Sequence, residues 1–310
     1  MDFEVTILGS SSATPIYQRH PTAQVIRIHE RFFLVDCAEG TLLQFIKYSI
    51  RFHRIDHVFI SHLHGDHYLG IMGVLSTLHL QGRKRPLYLY GTSDLKKIVD
   101  IQLELSNCEL RYPLVFHVID PSVSAIIHQD DVVKVTTLPM NHRIPCCGFL
   151  FEEKQRPRNL VKSALATYRL KSHHYDRLKA GEDVVLTDGS IVKSKDVTRP
   201  PYPYRRYAYC SDTLYSPDLA SSVKDVDLLY HEATFLHELL HKAEETFHST
   251  ALQAATVAKD AKVKKLLIGH FSARYKHLDS LLQEAREVFD NTFLAQEGDT
   301  FSIPYITYED

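Results

Sequence analysis

Long apolar runs are missing from this 310-residue sequence. The longest, around Lys265–Ile268, fall far short of the roughly 20 residues that a bilayer span requires, so no membrane segment is expected. The opening Met1-Asp2-Phe3-Glu4-Val5 has no basic region ahead of an apolar stretch. It therefore reads as the start of a strand rather than a signal peptide, and a cytoplasmic location is expected. Paired cysteines are also lacking: Cys37, Cys108, Cys146, Cys147 and Cys210 are odd in number and form no CxxC, which suits reduced thiols and excludes a disulfide framework. Cys146 and Cys147 are neighbours on a predicted strand and point to opposite faces, so they are read as structural rather than as ligands of one ion. Charge of one sign is absent too. With 36 basic and 38 acidic residues the formal net charge is −2, so any attraction to nucleic acid must come from a local patch. There is no internal repeat or low-complexity tract. A hydrophobic share of 44% is enough for a large core, with length alone leaving one or two domains open.

Histidine is present in excess, at nineteen residues with no His-rich tract. The chain around them alternates β-rich runs with helical patterns. Phe3–Leu8, Ala23–His29, Phe32–Val35, His57–Ile60 and Leu87–Tyr90 are predicted strands, while Glu39–Tyr48, Tyr68–Leu80 and Thr92–Leu105 are predicted helices. Several β segments follow between Leu114 and Phe151. From Lys154 to Gly181 the composition changes: Lys154, Arg156, Arg158, Lys162, Arg169, Lys171, Arg177 and Lys179 face one acid, Asp176, with few positions that look buried. This segment reads as a basic insertion over residues 154–198, closed by a hairpin Asp183–Val192 around Asp188-Gly189 and by a proline-rich stretch. The α/β rhythm then resumes with Tyr207–Cys210, Asp227–Tyr230, a helix opening near Thr250 and a strand Lys264–Ile268.

The chemistry concentrates in Ile60-Ser61-His62-Leu63-His64-Gly65-Asp66-His67, between an apolar strand and a helix. Histidines two apart on extended chain point the same way, and Asp66 and His67 follow where the chain turns, so four ligands converge. Imidazole with carboxylate suits zinc, and the lack of thiolate argues against a purely structural site. A solvated His-rich loop is the ordinary alternative, yet HxHxDH at a strand-to-helix turn is a specific pattern. Further ligands would have to come from other strand ends. His142 after Val132–Leu138, Asp212 after Tyr207–Cys210 and His270 after Lys264–Ile268 are candidates. Singly, they are also readable as polar strand caps or, for Asp212, a turn or helix cap.

Taken in order, His62, His64, Asp66, His67, His142, Asp212 and His270 resemble the metallo-β-lactamase superfamily, and the flanking segments resemble its ribonuclease Z family in particular. The resemblance runs over nearly the whole chain. It includes Leu8-Gly9-Ser10, Asp36-Cys37-Ala38-Glu39-Gly40-Thr41 (usually DCGEGT), the HEAT signature His231–Thr234, the HST signature His248–Thr250 and His270–Tyr275. It implies an αββα sandwich of two mixed sheets with outer helices, the site at one edge and an inserted flexible arm. It also implies two Zn2+ per chain, one on His62, His64 and His142 and the other on Asp66, His67 and His270, with Asp212 bridging. Zinc ions about 3.5 to 4 Å apart can share a water and ionise it near neutral pH. Asp66 would orient the resulting hydroxide or accept its proton, and His248, aligned by Glu232, would protonate the leaving oxygen. The implied reaction removes the 3′ trailer from precursor tRNA and leaves a 3′-hydroxyl on the tRNA and a 5′-phosphate on the trailer. Arg274 and the arm residues Lys154, Arg156, Arg158, Lys171, Arg177 and Lys179 would bind substrate, and the protein would be a homodimer. Three departures stand out. Lys171–Tyr175 replaces a GxP turn before Leu178-Lys179-Ala180-Gly181, His20 replaces an Asn, and Ser211-Asp212-Thr213 replaces Gly-Asp-Thr. A small-molecule phosphodiesterase or other metallo-hydrolase on the same scaffold, and a non-catalytic RNA-binding subunit, are the alternatives; the basic insertion and HST segment weigh against the first and the complete ligand set against the second.

Overall fold

The computed structural model describes residues 2–168 and 170–305, so Arg169 of the basic insertion and the chain's first residue lie outside the described residues. The described residues form two compact units, 2–152 with 206–303, and 153–168 and 170–205 with 304–305.

The larger unit has the expected αββα layering. One seven-stranded sheet runs Thr300–Ser302, Phe3–Gly9, Ala23–Ile28, Arg31–Cys37, Ile55–Phe59, Leu87–Gly91 and Leu114–Val118 in spatial order. The other runs Thr292–Leu294, Leu266–Gly269, Leu228–Glu232, Arg206–Cys210, Cys146–Glu153, Val133–Met140 and Ile126–Gln129. Both are mixed: hairpin-linked strands such as Ala23–Ile28 and Arg31–Cys37 pair antiparallel, whereas Arg31–Cys37 pairs parallel with Ile55–Phe59, and Arg206–Cys210 with Leu228–Glu232. Alternate residues of each strand explain the layers, because successive side chains leave opposite faces. Phe33, Val35 and Phe59 of the first sheet meet Phe149, Phe151, Tyr207 and Tyr209 of the second in a core between the sheets. Leu34 and Val58 face outward onto the helices Ile71–Leu80 and Ser93–Leu105. Ala208 and Leu229 pack outward on the alanine-rich Ala251–Asp260. Cys147 joins the inter-sheet core and Cys146 is buried beside it, in keeping with their structural reading.

Predicted elements are found with ends moved by a few residues. The helix expected over Tyr68–Leu80 is broken: Gly65–Tyr68 forms one turn, and Ile71–Leu80 starts after Gly70. A Cβ on Gly70 would stand 2.1 Å from the Ala38 carbonyl oxygen, so glycine lets this corner close on the strand end behind it. Thr250 caps Ala251–Asp260, its side chain accepting from Gln253 N and the Gln253 side chain accepting from Thr250 N.

The smaller unit corrects the reading of the insertion as a segment with little to bury. Leu170, Leu178, Val184, Val192 and Val197 form an apolar cluster of its own. All but Leu170 are carried by the helices Ser172–Lys179 and Ser194–Val197 and by the hairpin Val184–Val185/Ile191–Val192, whose turn holds Gly189 at φ 82°. At its base Arg205 donates from Nε and Nη2 to the Glu153 carboxylate at 2.9 and 2.7 Å, both residues being buried. No helix among the described residues is long and apolar enough to cross a membrane.

Candidate metal centre

The seven residues singled out as ligands lie on four strand ends that reach one edge of the larger unit. His62, His64, Asp66 and His67 follow Ile55–Phe59; His142 follows Val133–Met140; Asp212 follows Arg206–Cys210; His270 follows Leu266–Gly269. They fall into two clusters of potential ligand atoms. In the first, His64 Nδ1 is 3.1 Å from both His62 Nε2 and His142 Nε2, and Asp212 Oδ2 is 3.5 and 3.8 Å from those nitrogens. In the second, His270 Nε2 is 3.4 Å from His67 Nε2 and 3.3 Å from Asp66 Oδ2, while Asp212 Oδ1 is 3.4 and 3.3 Å from His67 and His270. Asp212 thus gives one carboxylate oxygen to each cluster.

Hydrogen bonds behind the rings fix which nitrogen faces inward. His67 Nδ1 donates to Asp36 Oδ2 at 2.7 Å, His142 Nδ1 to the Phe247 carbonyl at 2.8 Å, and His270 Nδ1 to Thr234 Oγ1 at 3.0 Å. Ser61 Oγ donates to Asp36 Oδ2 and so accepts from His62 Nδ1 at 3.0 Å. In these four rings Nδ1 carries the proton and Nε2 turns a lone pair into the cluster, whereas His64 faces it with Nδ1. Lone pairs about 3 Å apart repel unless a cation lies between them. Four ligands at zinc bond lengths of about 2.0–2.1 Å in a tetrahedron stand about 3.3 Å apart, which is the spacing found here. Asp212 Oδ1 is buried without a hydrogen-bond partner although it faces two imidazoles, an orphan that a cation would satisfy. The residues therefore fit divalent metal.

The electrostatics agree. Burial pushes His62 down to about 4 and lowers His64 and His142, keeping these imidazoles neutral and able to ligate. Burial disfavours charge on His67 as well, but the carboxylates of Asp212, Asp66 and Asp36 outweigh it and raise its pKa well above the usual value. Negative charge is thus in excess at this half of the site.

His248 and Glu232 lie beside the clusters. Glu232 is fully buried at the end of Leu228–Glu232, and its oxygens accept from Thr213 N at 3.0 Å and from Thr234 N and Oγ1 at 3.1 and 2.6 Å. Its Oε1 is 2.9 Å from His248 Nδ1. Burial opposes protonation of His248, but the Glu232 carboxylate prevails and lifts it to about 9, so His248 holds a proton at neutral pH. A cleft of about 500 Å³ opens here, lined among others by Ser12, Ala13, Asp66, Phe235, His248 and Arg274. Ala13 N donates to Asp66 Oδ2 at 2.7 Å and orients it. His20, at the departing position of the loop, is 3.1 Å from Glu297 Oε2 through Nδ1.

The other proposed substrate residues, Lys154, Arg156, Arg158, Lys171, Arg177 and Lys179, all belong to the smaller unit. Three of them have side-chain partners within it: Arg156 lies over the Tyr305 ring at 5.0 Å, Arg158 Nε donates to Thr198 Oγ1 at 2.7 Å and Arg177 Nε to Glu182 Oε2 at 2.9 Å. Sequence reasoning missed Asp36 as a site residue. It accepts from Ser61 N and Oγ, Tyr209 OH and His67, and its backbone stands at φ 53°. The available signal was an Asp at the end of the strand that runs parallel beside the HxHxDH strand.

A family model described as "Anti-Pycsar protein Apyc1" matches residues 3–159, and over that half the chain belongs to this family. The match takes in His62 to His67 and His142 and ends before Asp212. Longer matches cover the whole ligand set. Ribonuclease Z of Phocaeicola vulgatus is 45% identical over 304 residues, 98% of each chain, and ribonuclease Z of Bacteroides fragilis is 43% identical over 96% of this chain and 97% of its own. Human tRNase Z, short form, superposes with a TM-score of 0.70 at 28% identity, covering 97% of this chain and 99% of its own. A metallo-β-lactamase-fold protein of Bacillus subtilis, 19% identical with a TM-score of 0.68 and covering 97% of this chain and all of its own, shares the fold. Matched over nearly its whole length by relatives of that name, the chain belongs to the ribonuclease Z family.

Proposed function

We propose that this protein is a zinc-dependent endoribonuclease that removes the 3′ trailer from precursor tRNA, leaving a 3′-hydroxyl on the tRNA and a 5′-phosphate on the trailer. The observation that carries the reading is the convergence of two ligand clusters on the two oxygens of Asp212, with His248 paired to the buried Glu232 carboxylate beside them. His62, His64 and His142 would hold one ion and Asp66, His67 and His270 the other. Bound there, a zinc pair supplies positive charge against the phosphoryl oxygens and lowers the pKa of water toward neutrality.

The chain's own groups do the rest. Asp66, fixed by Ala13 N–H, orients the attacking water and takes its proton. Glu232 aligns His248 through Nδ1, leaving Nε2–H to protonate the departing 3′ oxygen of the tRNA. Arg274 lines the cleft and binds phosphate. Lys154, Arg156, Arg158, Lys171, Arg177 and Lys179 of the inserted arm contact the tRNA backbone, a salt-sensitive grip that reads no sequence. We assign the working form as a cytoplasmic homodimer. The half-length family match does not reach His248, Glu232 or Asp212, whereas the ribonuclease Z relatives cover all three, which favours precursor tRNA over a small phosphodiester.

The test is to incubate the purified protein with a 3′-extended precursor, with and without chelator, and map both new ends. Chelator-sensitive cleavage giving a 3′-hydroxyl on the tRNA is expected. Cleavage indifferent to chelator, or preference for a cyclic nucleotide, would overturn the proposal.

A further inference from the structure

Both ligand clusters draw on both sheets. His62, His64, Asp66 and His67 follow a strand of the first sheet, whereas His142, Asp212 and His270 follow strands of the second, so each cluster spans the gap between them. The core that fills this gap is largely apolar. Apolar contact is non-directional, and ligands need to be held to within about half an ångström, so packing alone does not set the metal geometry.

One strand crosses the gap with directional bonds. Tyr207, Tyr209 and Ser211 lie two apart along Arg206–Cys210 and the residue that follows it, so their side chains leave the same face. Each hydroxyl donates to a residue on the first sheet's side: Tyr207 to Gln24 Oε1, Tyr209 to Asp36 Oδ2 at 2.6 Å, and Ser211 to Ser61 Oγ at 3.1 Å. Gln24 bonds no ligand among the described residues. Asp36 and Ser61 do. The Asp36 carboxylate only accepts, so Ser61 Oγ spends its one proton there, at 2.9 Å, and accepts from both His62 Nδ1 and Ser211. Asp36 also takes the Nδ1 proton of His67 at 2.7 Å. One hydrogen-bonded chain thus runs behind the site from His62 of one cluster to His67 of the other. Two hydroxyls of the second sheet are anchored in it, one of them on the residue next to Asp212. Asp36, Ser61, Tyr209 and Ser211 are all buried, so water does not readily replace a missing hydroxyl. Ser211 is the residue that departs from Gly in the sequence, and only a side chain there can donate.

We propose that Tyr209 and Ser211 are positioning residues for the metal pair: their hydroxyls hold the histidines of the first sheet in register with Asp212 of the second. The proposal rests on the reading of this edge as a zinc site.

The experiment measures the zinc Kd of the metal-stripped protein in competition with a chromophoric chelator. Tyr209→Phe and Ser211→Ala keep the packing and remove one hydroxyl each. Both are expected to raise the Kd about tenfold, the lower end of what loss of an outer partner of a metal ligand costs. Tyr207→Phe is the control. It removes a hydroxyl from the same face and the same gap but away from the ligand chain, and should keep the wild-type Kd, whereas a general loosening of the sheets would show in all three variants. Wild-type Kd in either Tyr209→Phe or Ser211→Ala, or an equal loss in Tyr207→Phe, would overturn the proposal while leaving the zinc reading intact. A wild-type protein that binds no zinc would overturn both.

Discussion

The metal edge and the inserted unit are built on opposite principles. At the edge most of the site's side chains are held from behind: Asp36 alone takes hydrogen bonds from Ser61, His67 and Tyr209, and Glu232 takes them from Thr213 and Thr234. In the inserted unit, five apolar residues form the core and most charged side chains stand in solvent, Arg177 and Glu182 being 60% and 58% exposed. Chemistry needs ligands fixed to a fraction of an ångström, and a grip on a phosphate backbone needs charge density more than fixed positions. Changes at the edge should therefore be felt in the reaction itself, and changes in the insertion in affinity for large substrates alone.

The sharpest test of that contrast is Asp212→Ala. It removes an oxygen from each cluster and should cut precursor cleavage by more than about 10³-fold, with metal content reduced and circular dichroism unchanged. Retention of activity within tenfold would break the comparison. His248→Ala should lower kcat by about 10²–10⁴-fold with KM and metal content little altered, as expected for loss of a proton donor. The pH profile refines this. Because the Glu232 carboxylate raises the pKa of His248, the rate that needs its proton is present below that raised value and lost as pH rises through it. Glu232→Gln removes the charge that raises His248, so its alkaline limb should move to lower pH; an unmoved limb would detach His248 from the proton transfer.

In the insertion, Leu178→Ala should cost about 2–4 kcal/mol of local stability by opening its small core. It should raise KM for precursor tRNA about tenfold while sparing a small phosphodiester. Equal loss on both substrates would erase the distinction between the regions. The smallest effect is expected from Arg177→Ala: an exposed ion pair adds little stability, so Tm should stay put, and tRNA affinity should lose about one phosphate contact's worth of salt dependence.

The two regions also differed in how far they could be read from sequence. The candidate ligands could be picked out because each sits just past a strand, where an apolar run announces the edge and a His or Asp interrupts it. Asp36 was not, because its partners Ser61, Tyr209 and His67 come from three separate segments and only the parallel pairing of Arg31–Cys37 with Ile55–Phe59 brings it near. In the insertion the helices are short, and Leu178 lies in a run dominated by His, Arg and Lys, so periodicity was too weak to mark a core. Nor did the basic composition reveal that Arg158 and Arg177 have partners within the unit.

The position of Asp212 has one more consequence. Because its two oxygens serve different clusters, whatever fills one cluster alters the carboxylate on which the other depends. By linkage that influence would be mutual: a metal in one cluster would change the affinity of the other by the same factor as the reverse loading. A chelator titration should then show two metal affinities that depend on each other rather than two independent sites.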